Sequence, residues 1–144
     1  MAYGFTPETD AERSTTAVQP DAFFPAVTAA ECASLQNIDT SVDNAVLNNA
    51  LFLSVLETND SLQTWAEQLT STGEEFTAKA GRAELYKNAV YSSTKAQILR
   101  DAISTDRTAD AAEINDADIA ANTANATRYI AIIQGRRAIG VHSV

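Results

Sequence analysis

The side chains that could carry chemistry are few, and their spacing suits none of the common reactions. His142 is the single histidine and falls within the last three residues, whereas a Ser–His–Asp or Cys–His arrangement needs its imidazole on a rigid scaffold. Cys32 is the single cysteine, so an intrachain disulfide and a CxxC metal pair are both excluded. Its expected place is a small buried thiol, with a disulfide between neighbouring subunits as the other use. The carboxylate pairs Glu74–Glu75 and Asp116/Asp118 are expected at helix edges, where acids favour the first turn or solvate a surface. An acid–base dyad would need one carboxyl raised by burial, and nothing in the pattern suggests that. There is no Gly-rich phosphate loop, no HExxH and no ligand spacing joining Cys32, His142 and the acids. No enzyme and no cofactor or metal is expected.

With 144 residues, 45% of them hydrophobic, the chain suits one domain burying about 70% of its unfolded surface. Its formal charge of −9 argues against gripping nucleic acid, which is done mainly by Lys and Arg. It remains compatible with surrounding a duplex, because an acidic wall repels phosphates and lets DNA slide past. The charge is also uneven. All nineteen acids and seven of the ten bases lie in the first 118 residues, giving −12 there, and Arg128, Arg136 and Arg137 give +3 to the remainder. The longest apolar runs, such as Ala50–Leu53 and Tyr129–Ile133, fall far short of the roughly 20 residues that span a bilayer. The N-terminus lacks the basic and apolar regions of a signal peptide, so a soluble protein made in a cytoplasm is expected, without a membrane partner.

Helix formers dominate, and Pro25 is the last of three prolines. The expected fold is all-α, a small bundle of three to four helices with an extended N-terminal arm and a short strand-like C-terminal tail. The arm is residues 1–38, the bundle 39–135 and the docking tail 136–144. In the arm, Phe23, Phe24 and Pro25 form the anchor. Pro25 biases Phe24 toward extended geometry and should set the two rings on opposite sides of the strand. The rings pack either on the chain's own helices or on a neighbouring subunit.

Asp39 or Thr40 can cap the first helix, whose stripe is Val42, Val46, Asn49, Leu53 and Leu56. Leu62, Trp65, Ala66 and Leu69 continue it, with a break or bend near Thr58–Asp60, until the SerThrGly at 71–73 ends it. The next helix is expected over Arg82–Ile103, burying Leu85, Tyr86, Ala89, Val90, Ala96, Leu99 and Ile103. The last runs from about Ala111 to Gln134, with Ala117, Ala120, Ala121, Ala124 and Ala131 as a ridge for close helix packing. Gly135 suits the left-handed C′ position, with Arg136 and Arg137 at the helix's negative end. Beyond it Ile139 and Val141 alternate with Ala138, Gly140 and His142, a period of two that could add an edge strand to a partner; the composition fits a frayed or locally folded-back terminus equally well.

In order and spacing, several segments resemble the head-completion (GPL-type) proteins of contractile-tailed bacteriophages. They are PhePhePro at 23–25, ThrAsnAspSerLeu at 58–62 with Trp65, residues 83–96 (AlaGluLeuTyrLysAsnAlaValTyrSerSerThrLysAla), and the ending ArgArgAlaIleGlyValHisSerVal. The resemblance covers Phe23 to Val144. It implies a structural virion adaptor, assembled in the host cytoplasm, that docks on the portal protein's ring in the phage neck. It also implies a homo-oligomeric ring, expected to be twelvefold, that extends the DNA channel without specific DNA binding and forms a platform for a neck or tail-completion protein. Arg136, Arg137, Ile139, Val141, His142 and Val144 would then form the portal or intersubunit contact, and the acidic helices would face the channel. Two other readings compete. One is a soluble helical regulator that sequesters a partner through an apolar groove at Leu62, Trp65 and Leu69. The other is a DNA-packaging subunit, which the acidic balance disfavours.

Overall fold

A computed structural model describes residues 12–105 and 109–135 of the chain, with side chains described outside 103–115. The fold is mostly helical: five α-helices and one short 3-10 turn among the described residues, with no strand. In chain order these are α1 (Ala29–Gln36), α2 (Asn44–Ser61), α3 (Gln63–Ser71), the 3-10 turn (Phe76–Ala78), α4 (Arg82–Thr105) and α5 (Ala109–Ile133). The long helices α4 and α5 pair most extensively, and α2 and α1 both pack on α4.

The helix α1 occupies a segment that hydrophobic period left extended, and its ends explain why it forms. Thr28 is the N-cap, in extended geometry, and its hydroxyl accepts from the Glu31 N–H at 3.1 Å. Asn37 closes the helix in the left-handed region at φ 52°, and the Ile38 N–H donates to Ala33 O at 3.0 Å. With eight residues, α1 is held by its caps and by burial of Ala29 and Cys32 rather than by amphipathic pattern.

The N-cap of α2 is Asp43, not Asp39 or Thr40. Asp39 instead folds back locally, its carboxylate accepting from the Ser41 N–H at 2.9 Å. The entry to α2 is clamped from outside by Arg13, which donates to Val42 O at 2.7 Å, Asn44 Oδ1 at 2.8 Å and Asp39 O at 2.8 Å. Asn44 Nδ2 returns a bond to Glu12 O at 2.9 Å.

The buried face of α2 is Leu47, Ala50, Leu51, Ser54, Val55, Thr58 and Asn59, roughly opposite the stripe that the spacing suggests. Val46, Leu53 and Leu56 are exposed, and Phe52 joins them. This helix is apolar on both sides, so period alone does not choose between them. The choice follows from polar fit: Asn59 meets the Tyr86 hydroxyl at 2.6 Å, and small Ser54 and Thr58 pack inward at 2% and 3% exposure. The helix runs on through Thr58–Asp60 and breaks at Leu62, a fully buried residue at φ −98°, ψ 2°.

The helix α3 ends as expected. Gly73 is left-handed at φ 79°, the Glu74 N–H donates to Leu69 O and the Gly73 N–H to Thr70 O. The start of α4 at Arg82 also matches, and Tyr86, Ala89, Val90 and Ala96 are buried. In α5, Gly135 terminates the helix at φ 79°. Its alanine ridge is not the packing seam, however: Ala117, Ala120, Ala121 and Ala124 are exposed, and the inward positions are Ala126 and Ile133, flanked by half-buried Ile119, Asn122 and Ile130. Isoleucines with Ala126 take the inward positions, and of the expected ridge only Ala131 is half-buried.

Candidate interaction surfaces

The N-terminal segment from Glu12 to Thr28 is laid against the body. Val18 and Val27 exchange both backbone bonds, at 2.7 and 3.1 Å, and the Ala30 N–H donates to Ser14 O at 2.9 Å. Between the valines, Asp21 starts a turn: its carboxylate accepts from the Phe23 N–H at 2.9 Å and its carbonyl from the Phe24 N–H at 3.1 Å. A turn, rather than a strand, brings both rings to one side. Their centroids are 5.3 Å apart, edge to face, and both meet Phe76, at 5.9 and 5.7 Å. The expectation of opposite sides is therefore corrected, because Asx-turn geometry overrides the extended bias before Pro25. Phe24 is buried in the chain's own core and stacks on Tyr86 at 5.6 Å, while Phe23 and Pro25 are half-buried.

Around this aromatic group the structure assembles a cation. Arg82, 8% exposed, lies over Trp65 at 5.1 Å and Phe76 at 5.9 Å and donates to Phe76 O at 3.1 Å and Glu74 Oε2 at 3.2 Å. Trp65 also meets Phe76 edge-on at 5.7 Å. Leu62 is fully buried, and Trp65 and Leu69 are half-buried, so the stripe that a regulator would leave open as a groove packs inward. Two open clefts flank Phe23, each about 430 Å³. The first is lined by Phe24, Pro25, Glu74, Glu75 and Phe76, the second by Asp21, Ala66 and Glu67. Neither brings together a set of catalytic groups.

A second polar group holds α1 on α4. The Tyr91 hydroxyl donates to Glu31 Oε1 at 2.7 Å and accepts from the Thr28 N–H at 3.3 Å. Thr28 and Glu31 have the spacing of a capping box, and here Tyr91 bridges the carboxylate to the N-cap amide. That spacing was the signal for α1 in the sequence. The Tyr91 hydrogen bond holds the Glu31 carboxyl below its ordinary value. Lys87, at 3.4 Å, adds to this and partial burial opposes it. A carboxyl lowered in the folded state contributes stability above its unfolded pKa of about 4.3 and loses it as pH falls through the lower folded value. The urea midpoint of the native chain should exceed that of Glu31→Gln above that range, and the gap should close as pH is lowered through it.

Cys32 is fully buried between α1 and α4, and burial pushes its thiol up to about 12. The Cys32 thiol is therefore inaccessible as an intersubunit disulfide partner in this fold. Ellman's reagent should leave it unreacted in the folded chain and label it on unfolding; rapid labelling under native conditions would contradict the placement.

Glu74 pairs with Arg82, and Glu75 is exposed. Asp116 and Asp118 are exposed well inside α5, not at its edge. Among the described residues no group of three or more His, Cys, Asp or Glu could hold a metal ion, and no helix is long and apolar enough to cross a membrane. Arg136, Arg137, Ile139, Val141, His142 and Val144 lie outside the described residues.

The model of the phage head completion protein (GPL) family matches residues 18–144, beginning at the valine that pairs with Val27. The chain belongs to this family. No curated protein and no solved structure matches it. As a head completion protein it is a structural component of the virion, in contact with other phage head or tail proteins. The matched span includes the aromatic group around Phe24, the Arg82 cap and the C-terminal basic segment.

Proposed function

We propose that this head completion protein is a head-to-tail adaptor that docks on the portal ring and extends the DNA channel into the neck. In this reading the subunits form a ring, twelvefold if it follows the portal, and present a platform for a neck or tail-completion protein. Arg136 to Val144 engages the portal or the adjacent subunit, with Arg136 and Arg137 supplying charge and Ile139 and Val141 supplying register. The surface around half-buried Phe23 and Pro25 is offered to a neighbour. Ring interfaces of this kind join two different surfaces, which suits two unlike ends.

The observation that carries the reading is the charge division within the family-matched span. An acidic body lets DNA pass without adhering, and a short basic, alternating segment at its end is suited to a partner. The test is binding of purified chain to purified portal rings, with and without residues 136–144. Deletion is expected to abolish ring binding while leaving the helical signal intact. Undiminished affinity of the shortened chain would remove the docking assignment, and image classification of the native complex would give the copy number.

A further inference from the structure

The exposed face of α2 is the largest unexplained apolar feature of the described surface. Val46, Leu53 and Leu56 are 39%, 42% and 41% exposed, with Phe52 beside them at 45%. Val46, Asn49, Leu53, Glu57 and Asp60 follow at intervals of three and four, so they form one ridge along the helix, with Val46 and Leu53 apolar, Asn49 between them, and Glu57 and Asp60 acidic at its C-terminal end. A helix apolar on both faces needs a cover on both, and α4 supplies only one.

The position where the described chain ends indicates the cover. Gln134 Nε2 donates to Ser61 O at 3.2 Å, which sets the end of α5 against the end of α2. The nine residues after Gly135 therefore start beside Asp60 and Glu57, the acidic end of the ridge. We infer that residues 136–144 of the same chain dock along this face of α2 in the free subunit, running antiparallel to the helix. Arg137, which alternation sets on the same side as Ile139 and Val141, comes level with the acidic end of the ridge at Glu57. Ile139, four residues past Gly135, reaches about 13 Å when extended, and Leu53, eight residues back from Ser61, lies about 12 Å along the helix. Val141 reaches about 20 Å, level with Val46 and Asn49 at roughly 18–22 Å. Alternation presents Ile139 and Val141 on one side of the segment, the side facing the ridge. Attachment to the same chain gives the segment a local concentration in the millimolar range, which a short interface needs.

This docking does not depend on the portal reading; it concerns what the segment contacts before any partner is present. The test uses the full-length chain at micromolar concentration with two pairs of cysteine substitutions, Leu53→Cys with Ile139→Cys and Asn48→Cys with Ile139→Cys, oxidised by glutathione disulfide. Asn48 is exposed on the same helix but points away from the ridge, and buried Cys32 stays out of the exchange. Docking predicts an intrachain crosslink at Leu53 forming about tenfold faster than at Asn48. Equal rates at the two positions would overturn the inference. So would a crosslink at Leu53 found only in covalent dimers, which would assign the face to a second copy. In the unsubstituted chain, hydroxyl-radical labelling of Phe52, Leu53 and Leu56 should rise severalfold when residues 136–144 are removed, and no change on removal would likewise refute it.

Discussion

Replacing Phe24 by alanine is expected to lower the unfolding free energy by about 3–5 kcal/mol, the range for removing a fully buried aromatic side chain. Phe24 is 2% exposed and touches three rings, Phe23, Phe76 and Tyr86, at centroid distances of 5.3, 5.7 and 5.6 Å. The loss combines lost transfer energy with a cavity that the surrounding helices cannot close. Phe76 is fixed by its own 3-10 turn, and Tyr86 is fixed by its bond to Asn59. Phe24 lies inside the loop that the Val18–Val27 pairing closes, and the Gln19 side-chain amide donates to Phe24 O at 2.8 Å. Urea unfolding gives the magnitude, and limited proteolysis gives a second readout, since cleavage before Thr28 should accelerate. Phe23→Ala, at a half-buried position, should cost clearly less. Equal losses at the two positions would mean that the core is not built around Phe24.

The second large effect is expected at Arg82. Arg82→Ala should cost about 2–4 kcal/mol, from carbonyls left unpaired in a buried site together with a lost cation–aromatic contact. Phe76 O and Glu75 O accept from the guanidinium at 3.1 and 3.5 Å, and Trp65 loses the group that covers its face at 5.1 Å. Lysine should not restore the native stability, because it brings the charge without the flat guanidinium that covers the indole face. Glu74→Gln, by contrast, should cost less than about 1 kcal/mol, since the Glu74 side chain is 41% exposed and its ion pair is screened by water. Trp65 emission reports the site directly: it should shift to the red in Arg82→Ala and stay in place in Glu74→Gln. A Trp65 spectrum unchanged by Arg82→Ala would contradict the stacking.

Much of the helical framework was legible in the residues. The starts and ends set by Gly73, Arg82 and Gly135 follow from local chemistry, namely left-handed glycine and an uninterrupted run of helix formers, and these match the fold. What could not be read was which side of a doubly apolar helix turns inward. The Val46/Leu53/Leu56 stripe and the Leu47/Leu51/Val55 stripe of α2 are equally good by period, and Tyr86 on a distant helix decides between them by requiring Asn59. The helix α1 was hidden for a related reason. Its hydrophobic pattern is weak, and its signal is a Thr28–Glu31 capping box completed by Tyr91, 60 residues further on from Glu31. The family was legible because it is carried by ordered short segments, which do not require knowing which face of a helix is buried.

The clamp of Arg13 and Asn44 at one extremity of α2, and the bond from Gln134 to Ser61 at the other, make that helix a spacer bar for the polypeptide. The described chain enters at one pole of an 18-residue rod and leaves at the opposite pole, about 27 Å away. Labels attached at Glu12 and at Gly135 should therefore report a separation of that order, set by the length of one helix.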